Sequence, residues 1–85
     1  MAKYDPLYDH LVSLRRSGRA EWTVPFERIE GILHSPLPKS ARRHRAWWGN
    51  EEGGSHVHAR AWMEAGWHVT FVRMEEQTVT FSREH

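Results

Sequence analysis

Apolar residues recur at helical spacing near the start of the chain. Leu7, Tyr8, Leu11, Val12 and Leu14 share one side, and Asp9, Ser13 and Arg16 occupy the other. Asp5 reads as an N-cap, Pro6 as a first helical residue and Gly18 as a stop, so the pattern predicts a core helix over Pro6–Arg16. Glu21-Trp22-Thr23-Val24 is rich in β-formers and predicts a brief strand that Pro25 ends. Phe26, Ile29, Ile32 and Leu33 then fall on one arc, with Glu27, Arg28 and Glu30 outside it. That second helix breaks at His34-Ser35-Pro36, and Leu37-Pro38 opens a third. Two short helices joined by about four residues make the outline of a helix-turn-helix.

The third helix is expected over Pro38–Ala46. At helical spacing Leu37, Ala41 and Trp48 come together with His44 beside them. Lys39, Arg42, Arg43 and Ala46 take the opposite arc, Arg45 borders it, and Trp47 projects sideways. Gly49–Gly54 is a loop by composition, and Ser55 can cap a fourth helix over His56–Ala65. Its apolar side is Val57, Ala61, Trp62 and Ala65, and Gly66 ends it. Finally Trp67, Val69 and Phe71 alternate with His68 and Thr70, and Val79 and Phe81 alternate with Thr78, Thr80 and Ser82. This predicts two half-buried strands forming a hairpin that turns near Glu75-Glu76, with Phe71 on the core side.

The expected architecture is therefore α+β: a helical domain with a helix-turn-helix-like pair and a C-terminal β-hairpin, winged-helix-like, with one domain spanning 1–85. The extra helix before the hairpin is atypical for that class. A chain of 85 residues buries only roughly 60–65% of its unfolded surface, so its five Trp, three Phe and two Tyr must supply most of the core. With no cysteine, a disulfide framework, a Cys-type zinc site and a thiol nucleophile are all excluded. No apolar run nears the roughly 18 residues a bilayer span requires, and MAKYDPLYDH lacks an apolar signal core. The expected setting is cytoplasmic, with no membrane partner.

Net charge is +1, but it is unevenly placed. Between positions 39 and 60 five Lys/Arg face only Glu51 and Glu52, a local +3 that leaves −2 for the rest. A basic patch on a nearly neutral body suits a site-directed binder of anions.

Four pieces, YDPLYDHL at Tyr4–Leu11, FERIEGIL at Phe26–Leu33, LPKSARRHRAWWGN at Leu37–Asn50 and HVHARAWMEAGWHV at His56–Val69, resemble a small prokaryotic domain family of unassigned function. They cover most of the chain in the family's order. The resemblance implies a compact intracellular domain suspected of binding nucleic acid, and no catalytic residues. Ser40, Arg42, Arg45, Trp47, Trp48, Asn50 and His56 resemble its most recognisable positions. Two departures stand out: Pro25 where a capping Ser or Thr is expected, and His34 where a Gly is expected.

Read as chemistry, Lys39, Arg42 and Arg43 are candidates for phosphate contact. Arg45 can donate to O6 and N7 of guanine together, worth about 1–3 kcal/mol of discrimination, or it can tie down Glu21 or Glu30. Ser40 can hold a phosphate at a helix start. Of the two tryptophans, Trp48 is expected inside and Trp47 near the surface, where it can stack on a base. Asn50 can read adenine or serve as a turn residue. His56 and His58 form an HxH pair, yet without accompanying Cys or Asp they point to no metal. No Ser/His/Asp set, phosphate loop or carboxylate pair can be assembled, so neither an enzyme nor a cofactor is expected.

The sequence thus leads to a nucleic-acid-binding domain, most readily for double-stranded DNA. Its site would comprise Lys39, Ser40, Arg42, Arg43, Arg45, Trp47, Asn50, His56 and Arg60, with the Pro38–Ala46 helix in the major groove. The alternative is a protein-interaction module, adaptor or antitoxin-like, with Trp47 as its anchor. A homodimer or a larger protein partner is open under either reading.

Overall fold

The computed structural model describes residues 3–51 and 57–84; His56, one of the expected site residues, lies outside them. The elements run α1 (Asp5–Arg16), β1 (Glu21–Pro25), α2 (Phe26–Leu33), α3 (Lys39–Arg43), a 3-10 turn (Arg45–Trp48), α4 (Val57–Met63), β2 (Trp67–Arg73) and β3 (Thr78–Arg83). The fold is α+β, and its strands form one antiparallel sheet in the order β1-β3-β2. The first strand thus joins the hairpin and completes a three-stranded sheet.

Helix α1 begins one residue earlier than its periodicity predicts. Tyr4 is the N-cap, and its carbonyl accepts from the N–H groups of Leu7 and Tyr8. Asp5 therefore sits in the first turn, where a carboxylate favours the positive end of the helix dipole. Both departures from the family pattern fall at the ends of α2. Pro25 is its N-cap without a side-chain bond, and His34 ends it in the left-handed conformation at φ 56°, which a glycine adopts without strain.

The largest correction concerns the third helix. The expected nine residues shorten to five, because His44 turns to an extended conformation and the chain re-enters a 3-10 turn. In an uninterrupted helix the Ala41 carbonyl would accept the Arg45 N–H. The break frees that carbonyl, and the Trp48 indole Nε1–H donates to it at 2.9 Å. Burying the largest side chain with its one polar atom satisfied is the gain from breaking the helix.

Trp48, Trp62, Trp67, Phe26 and Phe81 are the largest fully buried residues and form one core cluster with Leu7, Leu11 and Ile29. Phe26 stacks on Trp48 at 4.8 Å, and Trp48 on Trp62 at 6.0 Å, which links α2, the 3-10 turn and α4 through ring contacts. Trp67 at the start of β2 donates its indole N–H to the Leu11 carbonyl, tying the sheet to α1. Helix α4 is shorter and more deeply buried than its pattern predicts. It ends at Met63, and His58 and Ala59 are buried along with Ala61 and Trp62.

The alternation of β2 breaks midway. Val69 pairs with Phe81 and Phe71 with Thr80, so Thr70 is an extra residue, a bulge. The bulge shifts the inward set by one position. Val72 takes the core place opposite Val79, and Phe71, expected inside, is exposed.

Candidate nucleic-acid interface

The segment from Leu37 to Asn50 is fastened from below at four points. The Leu37 N–H donates to Glu30 Oε2 at 2.7 Å, and Arg42 Nη2 donates to Glu30 Oε1 at 2.6 Å. Arg42 Nη1 also donates to Gln77 Oε1, so one guanidinium bridges α2 and the β2–β3 turn. The Leu37 N–H, then the Arg42 hydrogen bond and charge, hold the Glu30 carboxyl below its ordinary pKa despite the opposing effect of desolvation. Trp48 is the third fastening.

Asn50 is the fourth. Its Oδ1 accepts from the Val69 N–H at 2.8 Å and from Trp62 Nε1 at 2.9 Å, while its Nδ2 donates to the Val69 carbonyl at 2.8 Å. A side-chain amide thereby pairs with the N–H and C=O of one residue of the edge strand β2 much as a neighbouring strand would. Its three bonds serve the fold, and they leave the amide little free for an adenine.

Above this base Lys39, Ser40, Arg43, His44 and Arg45 are exposed. No described residue forms an ion pair or side-chain hydrogen bond with Lys39, Arg43 or Arg45, and no acidic residue occurs between Glu30 and Glu51. The structure thus separates the expected cations: Arg42 is an internal strut, and Lys39, Arg43 and Arg45 are outward charges. At five residues α3 is only about 7–8 Å long, too short to lie along a groove as the expected recognition helix would.

Trp47 is half-buried, not a free surface ring. It stacks face to face on His58, with centroids 3.8 Å apart and planes 4° from parallel, and its carbonyl is bonded to His58 Nε2 at 2.6 Å. One indole face is therefore covered. Arg60 is exposed on α4 beside Glu64, at 3.5 Å, and faces a separate groove shared with Lys3, Tyr4 and Tyr8 of the N-terminal region. It does not join the outward cations.

The sequence reading missed Phe71. An open groove of about 690 Å³ runs between Arg45, Gly49 and Asn50 on one side and β2 with its following turn on the other. Phe71 lines it with 54% of its surface exposed, and the Arg73 guanidinium lies 4.8 Å from the ring centroid. The chain carries only half of the signal: Phe71 and Val72 are adjacent apolar residues in a strand, so both cannot face the core, and the bulge at Thr70 decides which one does.

Residues 5–85 match the family described as Domain of unknown function (DUF7662), and the chain belongs to that family. No curated protein and no solved structure matches the chain. Among the described residues there is no His/Cys/Asp/Glu group able to hold a metal ion, and no helix long and apolar enough to cross a membrane.

Proposed function

We propose that this DUF7662 member is a non-catalytic domain that binds nucleic acid through phosphate contacts from Lys39, Arg43 and Arg45. The observation that carries this reading is the uncompensated charge of the α3–3-10 surface. Three cations within seven residues stand exposed without a carboxylate partner among the described residues, in a chain whose net charge is only +1. Arg42, Arg60 and Arg73 pair with acids, and what sets Lys39, Arg43 and Arg45 apart is their concentration in one stretch that has no acidic residue between Glu30 and Glu51. A concentrated positive field of this kind attracts polyanions, and a phosphate chain supplies repeated charges to meet it. Such a role belongs with a cytoplasmic location.

The winged-helix comparison supports the same reading at the level of element order, since helices precede a terminal hairpin whose sheet includes β1. The mode of contact differs from a recognition helix: a short helix and a turn offer exposed charges instead of a long face. The alternative, a protein partner anchored on Trp47, is weakened by the His58 ring that covers one indole face.

The test is a fluorescence-anisotropy titration with labelled duplex and single-stranded oligonucleotides at low and high salt. Three phosphate contacts predict about a 40-fold loss of duplex affinity between 50 and 200 mM salt. The double variant R43E/R45E should lose binding to both oligonucleotides, whereas Trp47→Phe should retain it. Affinity indifferent to salt, or unchanged in R43E/R45E, overturns the reading.

A further inference from the structure

We infer that the groove between Arg45 and β2 is a subsite for an unpaired base of single-stranded nucleic acid, with Phe71 as its stacking platform. This rests on the nucleic-acid reading and specifies its ligand. Arg45 belongs to both features: it is one of the outward cations, and it lines the groove that contains Phe71. A strand whose phosphates meet Arg43 and Arg45 would therefore bring its next base to the groove.

Three properties of the groove choose this occupant. Phe71 keeps 54% of its surface open even with the Arg73 guanidinium 4.8 Å from its centroid, so ring surface is left for a ligand on an already cation-supported aromatic. The volume, about 690 Å³, lies within the range of small-ligand sites, about 300–1,000 Å³. Arg45 and Arg73 line it with Glu75 and Glu76, and Arg73 is paired with Glu76 at 3.9 Å, whereas no described acid pairs with Arg45. Arg45 is therefore the cation of the groove left open to a phosphate.

The same geometry disfavours a peptide strand. Although β2 is an edge of the sheet, Asn50 already occupies the N–H and C=O of Val69, Thr70 bulges, and Arg73 places a charge on the strand. Those are devices by which natural edges resist further strand pairing. A base inside a duplex presents no free face to a side-chain ring, so an aromatic platform of this kind selects unpaired bases.

The deciding experiment compares wild type, Phe71→Ala, Phe71→Trp and R43E/R45E by anisotropy. The ligands are a mixed-sequence single strand, the corresponding duplex and an abasic single strand of equal length. Phe71→Ala should weaken single-strand binding about fivefold or more, the lower end of one lost base–aromatic stack, and leave duplex binding unchanged. Phe71→Trp should restore it, and the abasic strand should bind wild type and Phe71→Ala alike. Because Phe71 is exposed, its replacement spares the core. Single-strand binding that R43E/R45E abolishes but Phe71→Ala leaves intact overturns the base subsite and retains the phosphate surface. Failure of wild type to bind either normal oligonucleotide at low salt overturns both.

Discussion

The inner and outer sides of the Leu37–Asn50 segment both carry arginine and put it to different work. On the inner side a guanidinium, an indole and an amide (Arg42, Trp48 and Asn50) are bonded to Glu30, Gln77, Ala41, Trp62 and Val69. On the outer side Lys39, Arg43 and Arg45 have no such partners among the described residues. Arg42 and Arg43 are adjacent in the chain, yet one is a strut and the other a free charge. The residue kit associated with gripping nucleic acid is thus mostly consumed in holding the segment in place, and the remainder is what can meet a ligand. A motif's chemistry follows from what its side chains are already bonded to.

The comparison breaks if inner-side substitutions alter binding while sparing stability. Trp48 tests it most severely, because it is 1% exposed and its N–H is bonded. Trp48→Ala should cost about 3–5 kcal/mol in urea unfolding. Next comes Asn50→Ala, which strands the Trp62 indole N–H and the Val69 peptide groups. A loss of about 1–3 kcal/mol is expected, with nucleic-acid affinity unchanged under conditions where the variant is fully folded.

Arg42→Ala should have a smaller effect, about 1 kcal/mol at neutral pH, since the Arg42 and Glu30 side chains are 33% and 21% exposed. The dependence on pH sharpens this prediction. Glu30 has a folded pKa below its unfolded value near 4.5, so its contribution is complete above that value and fades as pH falls through the folded pKa. The stability gap between wild type and Arg42→Ala should therefore close in acid. A gap that stays constant to pH 3 would show that Arg42 acts by packing and not by charge. The outer-side pair R43E/R45E should shift stability least, within about 0.5 kcal/mol, while changing binding most.

Much of the frame was legible in the chain. The spacing of Leu7, Leu11, Phe26, Ile29 and Leu33 marked the buried faces of α1 and α2, and the alternation around Val79 and Phe81 marked β3, because local periodicity reflects a single burial direction. The outward position of Lys39 and Arg43 was also readable. The length of α3 was not, since its break is rewarded by the indole of Trp48, which sits beyond the helix and finds its bond only after the chain turns. Phe71 was misplaced for a related reason: a single extra residue in β2 reverses every later side chain.

The α+β class, the periodic elements and the concentration of positive charge all follow from neighbours along the chain and are legible in it. Packing between elements selects the guanidinium that bonds Glu30 and Gln77, ties the Asn50 amide to an edge strand, and opens Phe71 onto the groove beside Arg45. Those outcomes depend on partners 12, 19, 26 and 35 positions away, at distances where the competition for hydrogen bonds and core volume is settled between elements and leaves no local periodic trace.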